Sequence, residues 1–140
     1  MKISTKGRYG LTMMMDLARH YGKGPLSLKA IATNHQLSEH YLEQLIVPLR
    51  HGGLIRSIRG AYGGYALLRP PEEVTAGDVI RLLEGPISPV EFTEEDDAAK
   101  RDLWMRIRDA ITRELDQTTL ASLISYSSVA SEEVPYMFYI

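Results

Sequence analysis

Two apolar stripes of helical period, separated by one tight turn, lie between positions 27 and 51 and restrict the fold more than any other feature of the chain. The first is Leu28, Ile31 and Ala32, in a helix over residues 27–35 that Ser27 can cap. Asn34-His35-Gln36-Leu37 supplies the turn. Ser38 caps a second helix reaching about His51, where Leu42, Leu45, Ile46 and Leu49 stand at i, i+3, i+4 and i+7 and share one buried face. An advance of about 100° per residue puts His40, Gln44, Val47 and His51 opposite, with Tyr41 and Glu43 on the shoulders. Helix, tight turn and helix with a polar outer face make the helix-turn-helix pattern. Pro48 removes a backbone hydrogen bond and clashes with the Gln44 carbonyl, so a kink or an early end is expected there, with base reading confined to the first two turns.

After Gly52-Gly53 come two short extended runs, 54–58 and 65–68. The linker Arg59-Gly60-Ala61-Tyr62-Gly63-Gly64 offers glycines for positive φ, so the runs read as a β-hairpin. A helix-turn-helix followed directly by a hairpin is a winged helix, and Arg56, Arg59 and Arg69 place positive charge on or near the wing. Upstream, Gly10, Met13, Met14, Leu17 and Tyr21 recur at helical spacing over residues 5–21, and Gly22-Lys23-Gly24-Pro25 stops that helix. The methionines read as a packed core face and not as metal ligands. Lys2, Lys6 and Arg8 precede or open this helix, as phosphate contacts or as a solvated arm.

Downstream of Pro70-Pro71, Thr75 begins a helix through Glu84, with Asp78 completing a capping-box-like pair and Val79, Ile80, Leu82 and Leu83 as its packing face. Residues 85–97, with Pro86, Pro89 and the run Glu94-Glu95-Asp96-Asp97, read as an exposed loop. The longest helix spans about 98–116, striped by Leu103, Ile107, Ala110, Ile111 and Leu115, with the only tryptophan, Trp104, beside the stripe. Such a helix late in a small domain suits a dimer seam; packing wholly within its own subunit is the alternative. Residues 119–123 extend to one or two further turns. From Ser125 the chain is mostly small and polar until Tyr136-Met137-Phe138-Tyr139-Ile140, an apolar ending that has to bury itself somewhere. The fold class is therefore mainly α with a small β-wing, a winged helix-turn-helix plus a long dimerisation helix. Its units are 1–84 for the DNA-binding domain, 85–97 for the loop, 98–125 for the dimerisation helices and 126–140 for the C-terminal tail.

Charge separates along the chain. Residues 1–69 hold ten Lys and Arg against three Asp and Glu, while residues 70–140 hold six against fifteen. A basic half beside an acidic half points one face toward a polyanion. The absence of cysteine excludes disulfides, thiolate zinc sites, iron–sulfur ligation by thiolates and direct thiol sensing. The four histidines, at 20, 35, 40 and 51, lack metal-binding spacing, and no Ser-His-Asp or paired-carboxylate arrangement is signalled, so no enzyme activity and no metal are expected. The glycine-rich linker is not a phosphate loop, because it lacks a following Gly-Lys-Ser/Thr and leads into a strand. With no membrane-length apolar run and no signal-peptide core, the expected compartment is the cytoplasm.

The chemistry that remains is duplex recognition. Recognition-helix side chains reach base edges in the major groove, and a wing arginine fits the narrow, negative minor groove. The candidate DNA-facing residues are Lys6, Ser27, Ser38, His40, Tyr41, Glu43, Gln44, Arg56, Arg59 and Tyr62, with Arg59 foremost on the wing. Glu43 has two readings: it accepts from a cytosine amino group, or it is a surface charge paired with Arg50 or a lysine. The candidate dimer contacts are Leu103, Trp104, Ile107, Ile111 and Leu115. A protein-interaction module that scaffolds a metabolic enzyme is the alternative function, and a small effector bound in the acidic half is a third.

These residues carry a resemblance. The segments Lys2-Ile3-Ser4-Thr5-Lys6-Gly7-Arg8-Tyr9, Ser38-Glu39-His40-Tyr41-Leu42-Glu43-Gln44-Leu45, Ser57-Ile58-Arg59-Gly60-Ala61-Tyr62-Gly63-Gly64-Tyr65 and Gly77-Asp78-Val79-Ile80 resemble the Rrf2 family of bacterial winged-helix regulators. The resemblance implies a homodimer on double-stranded DNA. Many members hold an iron–sulfur cluster through three cysteines in the loop before the long helix; here Gly85-Pro86-Ile87-Ser88-Pro89-Val90-Glu91-Phe92 has none, so no cofactor is expected. That loop, Leu103-Trp104-Met105-Arg106-Ile107-Arg108-Asp109-Ala110 and the chain ending most resemble the family's repressors of cysteine metabolism. By that resemblance the partner is cysteine synthase (O-acetylserine thiol-lyase), acting as co-repressor and sensing O-acetylserine. Serine acetyltransferase docks a C-terminal isoleucine in that enzyme's active site, and Ile140 with its carboxylate is chemically equivalent. Tyr136, Phe138, Tyr139 and Ile140 are therefore the candidate partner-binding residues, with packing on the protein's own dimer as the other reading.

Overall fold

The computed structural model describes the backbone of residues 2–137 and the side chains of residues 2–128. Helix α1 is Thr5–Arg19, α2 Leu28–His35 and α3 Glu39–His51. Strands β1 (Ile55–Ile58) and β2 (Gly64–Leu67) follow, then a 3-10 turn at Pro71–Glu73, α4 at Ala76–Glu84, α5 at Ala98–Gln117 and α6 at Leu120–Met137. This is the mainly α winged helix that the sequence predicts.

The local signals act as expected at the helix starts. Ser27 Oγ accepts from the Ala30 N–H at 3.1 Å, Ser38 Oγ from Tyr41 N–H at 2.9 Å, and Asp97 Oδ1 from Lys100 N–H at 2.9 Å. Thr75 and Asp78 form a reciprocal capping box, each side chain accepting from the other's backbone at 3.0 Å. The helix ends depart further from expectation. Helix α1 stops at Arg19 and not at Tyr21, which falls in the following turn and is 41% exposed. Helix α3 runs uninterrupted through Pro48 to His51. The Gln44 carbonyl that Pro48 deprives of a donor belongs to a solvent-exposed residue.

The exit from α3 decides where the wing stands. Gly53 N–H donates to Arg50 O at 3.0 Å and Leu54 N–H to Leu49 O at 3.1 Å, with Gly53 at φ +78. This is a Schellman closure, and its usual apolar partners, Leu49 and Leu54, are both buried. The chain therefore reverses within two residues and enters β1 with Ile55 already in the core. Strands β1 and β2 pair antiparallel in the register Ile55↔Leu67 through Ile58↔Gly64. Leu26 and Tyr65 exchange two backbone bonds of 2.9 Å, tying the outer strand to the entrance of α2. In the linker only Gly60 has positive φ; Gly63 and Gly64 are required by close backbone approach, since a Cβ at either would overlap a carbonyl, of Ile58 or of Leu26. The reading of the linker glycines as positions for positive φ holds at Gly60 and is corrected at Gly63 and Gly64.

One core holds these elements together. Met13, Met14 and Leu17 of α1 meet Ile31, Leu42, Leu45, Leu49, Ile55, Leu67, Val79 and Leu83. Helices α1 and α4 approach so closely that a Cβ at Gly10 would overlap Leu83 Cδ1. Leu120 of α6 is fully buried in the same cluster, with Leu123 and Ile124 packed against it. The α5–α6 junction is also pinned by backbone: Ala76 N–H donates to Thr118 O and Leu120 N–H to Val74 O, both at 2.8 Å. Helix α6 then continues to Met137, well past the one or two turns read from residues 119–123, so the small, polar stretch after Ser125 is helical and not a loose tail. Helix α5, by contrast, has no buried residue at all in the protomer.

Candidate nucleic-acid interface

The polar face of α3 is built as the helical wheel requires. Leu42, Leu45, Ile46 and Leu49 are buried, and His40, Glu43, Gln44, Val47 and His51 are exposed. The His40 side chain is 84% exposed and that of Glu43 62%, with His40 Nδ1 at 4.0 Å from Glu43 Oε2. Gln44 Nε2 lies 3.5 Å from His40 Nε2, one turn away. These three form a loose polar ridge over the first two turns. Glu43 faces His40, not Arg50 or a lysine. A carboxylate presented with its imidazole neighbour retains acceptor capacity for a cytosine amino group.

Tyr41 occupies a different environment. It is half-buried, and its ring stands edge-on to Tyr9 of α1, centroids 5.9 Å apart at 86°. That contact sets α3 against α1, so the hydroxyl is the part of Tyr41 with hydrogen-bonding capacity to offer. Ser27 and Ser38 both spend an acceptor on capping, which leaves each hydroxyl proton to donate to a phosphate oxygen. Ser27 also adjoins the wing, because its backbone packs against Gly64 at the start of β2. Helix α2 and the hairpin thus meet at Ser27, while Arg56, Arg59 and Lys6 stand exposed and Tyr62, 94% exposed, lies in the linker between the strands.

Ion pairing differs between the two halves of the chain. Of the ten Lys and Arg in residues 1–69, only Arg19 forms an ion pair among the described residues, to Asp16 at 3.0 Å. Asp16 also receives His35 Nε2 at 2.6 Å, locking α1 to α2. Lys2, Lys6, Arg8, Arg56 and Arg59 carry no carboxylate partner among the described residues. In the acidic half three of the six Lys and Arg are paired among the described residues: Arg81 with Asp116 at 2.7 Å, Arg106 with Asp102 at 3.0 Å and Arg108 with Asp109 at 3.5 Å. The Arg81 hydrogen bond holds the Asp116 carboxyl below the usual carboxylate range and raises Arg81. The pair links α4 to α5, the step that connects the winged helix to its long helix.

On α5 the stripe stands open. Leu103 is 39% exposed, Trp104, Ile107, Ile111 and Leu115 are half-buried, and Ala110 is exposed. Asp96, just before α5, is held below the usual carboxylate range, chiefly by the Thr93 backbone N–H and further by the Trp104 side chain. Phe138, Tyr139 and Ile140, and the side chain of Tyr136, lie outside the described residues. Sequence reasoning missed the Tyr9–Tyr41 contact, the Leu26 bridge and Glu84, which accepts from the Ser4 backbone N–H at 2.6 Å and from the Ser4 hydroxyl. No sequence signal identifies Leu26, but an acid closing α4 near the N-terminus of α1 is the charge a helix start favours.

Comparison with known proteins agrees with this geometry. The family model described as Rrf2, iron-dependent transcriptional regulator, matches residues 3–126. The HTH-type transcriptional regulator CymR of Bacillus subtilis is 63% identical over 140 residues, covering 100% of both chains. The structure of CymR (YrzC), the global cysteine regulator of B. subtilis, superposes with a TM-score of 0.86 at 64% identity, covering 90% of this chain and 98% of that one. The oxidized form of CymR from Staphylococcus aureus superposes with a TM-score of 0.78 at 57% identity, covering 89% of this chain and 96% of that one. The iron dependence in the family description does not fit the residues present. The chain has no cysteine, and among the described residues no three His, Asp or Glu side chains are grouped to hold a metal ion.

Proposed function

The chain belongs to the Rrf2 family of transcriptional regulators, and from that membership we propose that it is a homodimeric repressor of genes for cysteine and sulfur metabolism, acting in the cytoplasm. The observation that carries the DNA reading is the set of cations in residues 1–69 that, Arg19 apart, have no ion-pair partner among the described residues, set beside an α3 whose polar face is exposed. Cations without carboxylate partners release counterions when they meet phosphates, which drives association with a duplex. Each protomer places α3 in a major groove and Arg59 in the adjoining minor groove, with Lys6, Ser27, Ser38 and Arg56 on phosphates. His40, Glu43 and Gln44 read base edges.

Pairing through α5 supplies the second half-site. A helix of 20 residues without one buried side chain has its apolar stripe available to a second copy, through Leu103, Trp104, Ile107, Ile111 and Leu115. Two equivalent α3 helices then read half-sites about 34–36 Å apart, one turn of duplex. The assignment to cysteine metabolism rests on the likeness to CymR. Cysteine synthase as co-repressor, received through Tyr136, Phe138, Tyr139 and Ile140, rests on the sequence resemblance.

A mobility-shift titration tests the reading, with duplexes from upstream of cysteine-synthesis genes, an unrelated duplex as control, and cysteine synthase present or absent. Preferential retardation of the upstream duplexes is expected. Equal binding to the control would remove the assigned gene set, and no retardation in any arm would remove the DNA function.

A further inference from the structure

A cleft of about 350 Å³ lies behind the wing, between the end of α1, the turn at 22–24 and the two strands. Leu17 and Leu67 close it from below and are almost wholly buried, so its apolar surface comes from the walls. Tyr21 and Leu68, 41% and 48% exposed, add two large apolar side chains that the protomer leaves uncovered. The basic groups on the lining are His20 and Arg56, and no carboxylate lines the cleft. Arg56 has no ion-pair partner among the described residues.

Each candidate ligand class meets this lining differently. An organic cation is repelled by Arg56 and finds no acid. An inorganic anion satisfies the guanidinium but leaves Tyr21 and Leu68 uncovered. A small molecule with both a carboxylate and an apolar body uses both, and the volume is at the lower end of small-ligand sites. We propose that this cleft binds a small carboxylate with an apolar body, and that its occupancy draws the Arg56 guanidinium away from DNA. The second half of that statement rests on the wing reading given above. The site lies in the basic half of the chain, not in the acidic half where a small effector was one expectation.

Benzoate is the probe, with benzamide as its neutral isostere and sulfate as an anion without an apolar body. Binding to the full-length protein is followed by amide chemical shifts, first without DNA. Benzoate is expected to move the signals of residues 20–24 and 65–68, and to bind at least about tenfold more tightly than benzamide or sulfate. Arg56→Gln, at an exposed position, should weaken benzoate at least about tenfold, and Ala66→Leu should block it by filling the cleft. Benzoate binding unchanged in Arg56→Gln, shifts confined to other regions, or no saturation would overturn the site. The DNA arm is then read separately: benzoate should flatten the log–log salt dependence of duplex binding by about two for a dimer, one phosphate contact per protomer. Benzoate binding with an unaltered salt slope would overturn the coupling alone. A protein that ignores duplex in the absence of benzoate would overturn the wing reading and leave the DNA-free titration to decide the site.

Discussion

Replacing Gly53 by alanine isolates the backbone cost of the turn that aims the wing. Gly53 has φ +78, and a Cβ built there meets nothing within 4 Å. Steric overlap therefore contributes nothing, and the penalty is that of placing an L-residue in the left-handed region, about 1–2 kcal/mol. Alanine also restricts the unfolded chain, which offsets about 0.4–1 kcal/mol. The net expectation is a loss of about 1 kcal/mol, or a fall of roughly 2–6 °C in Tm for a chain of this size. Gly53→Asn should cost less, because asparagine tolerates this conformation. Circular-dichroism melts at one fixed protein concentration measure both, which matters for a dimer. A Tm raised by alanine, or an asparagine variant as damaged as the alanine one, would refute the Schellman account of this junction.

Other consequences are open to direct measurement. Ile111→Asp, on the exposed stripe of α5, should give a folded monomer by sedimentation and reduce duplex affinity; a dimer of unchanged affinity would place the seam elsewhere. Asp116→Asn removes the partner of Arg81 at a site where both side chains are about 40% exposed, so the loss should stay below about 1 kcal/mol. Because the folded Asp116 titrates below its ordinary value, its contribution is present above the unfolded carboxylate pKa and lost as pH falls through the lower folded one; melts of the two proteins should converge in acid, and a gap that widens there would contradict the assignment. Treatment with diamide should leave duplex binding unchanged, since the chain has no thiol to oxidise; a loss reversed by dithiothreitol would contradict this.

Much of the fold was legible because its signals are local. Ser27, Ser38 and Thr75 start helices through bonds to residues three positions away, and the stripe Leu42, Leu45, Ile46 and Leu49 needs only the helical period. Failures occur where tertiary contacts decide. Pro48 argues for a kink or an early end, yet α3 does not end there: it runs on to His51 with Ile46 and Leu49 buried. The serine-rich stretch after Ser125 lacks a strong stripe, and helix α6 begins from Leu120, whose burial depends on residues more than a hundred positions earlier. The candidate DNA residues were legible as types and exposures, but the turning of Tyr41 toward Tyr9 required the contact of α3 with α1, and Glu43 faces His40 one turn back on the same helix where the sequence offered Arg50 or a lysine instead.

The salt dependence of duplex binding by the intact dimer bears on the central claim most directly. If Lys6 and Arg56 of both protomers neutralise phosphates and both Arg59 side chains displace counterions from the minor groove, log affinity should fall against log salt with a slope of about −5. The slope should become shallower by about two in Arg59→Ala. A slope near zero, or one that Arg59→Ala leaves unaltered, would contradict the account of unpaired cations on the wing and the first helix as the grip on DNA.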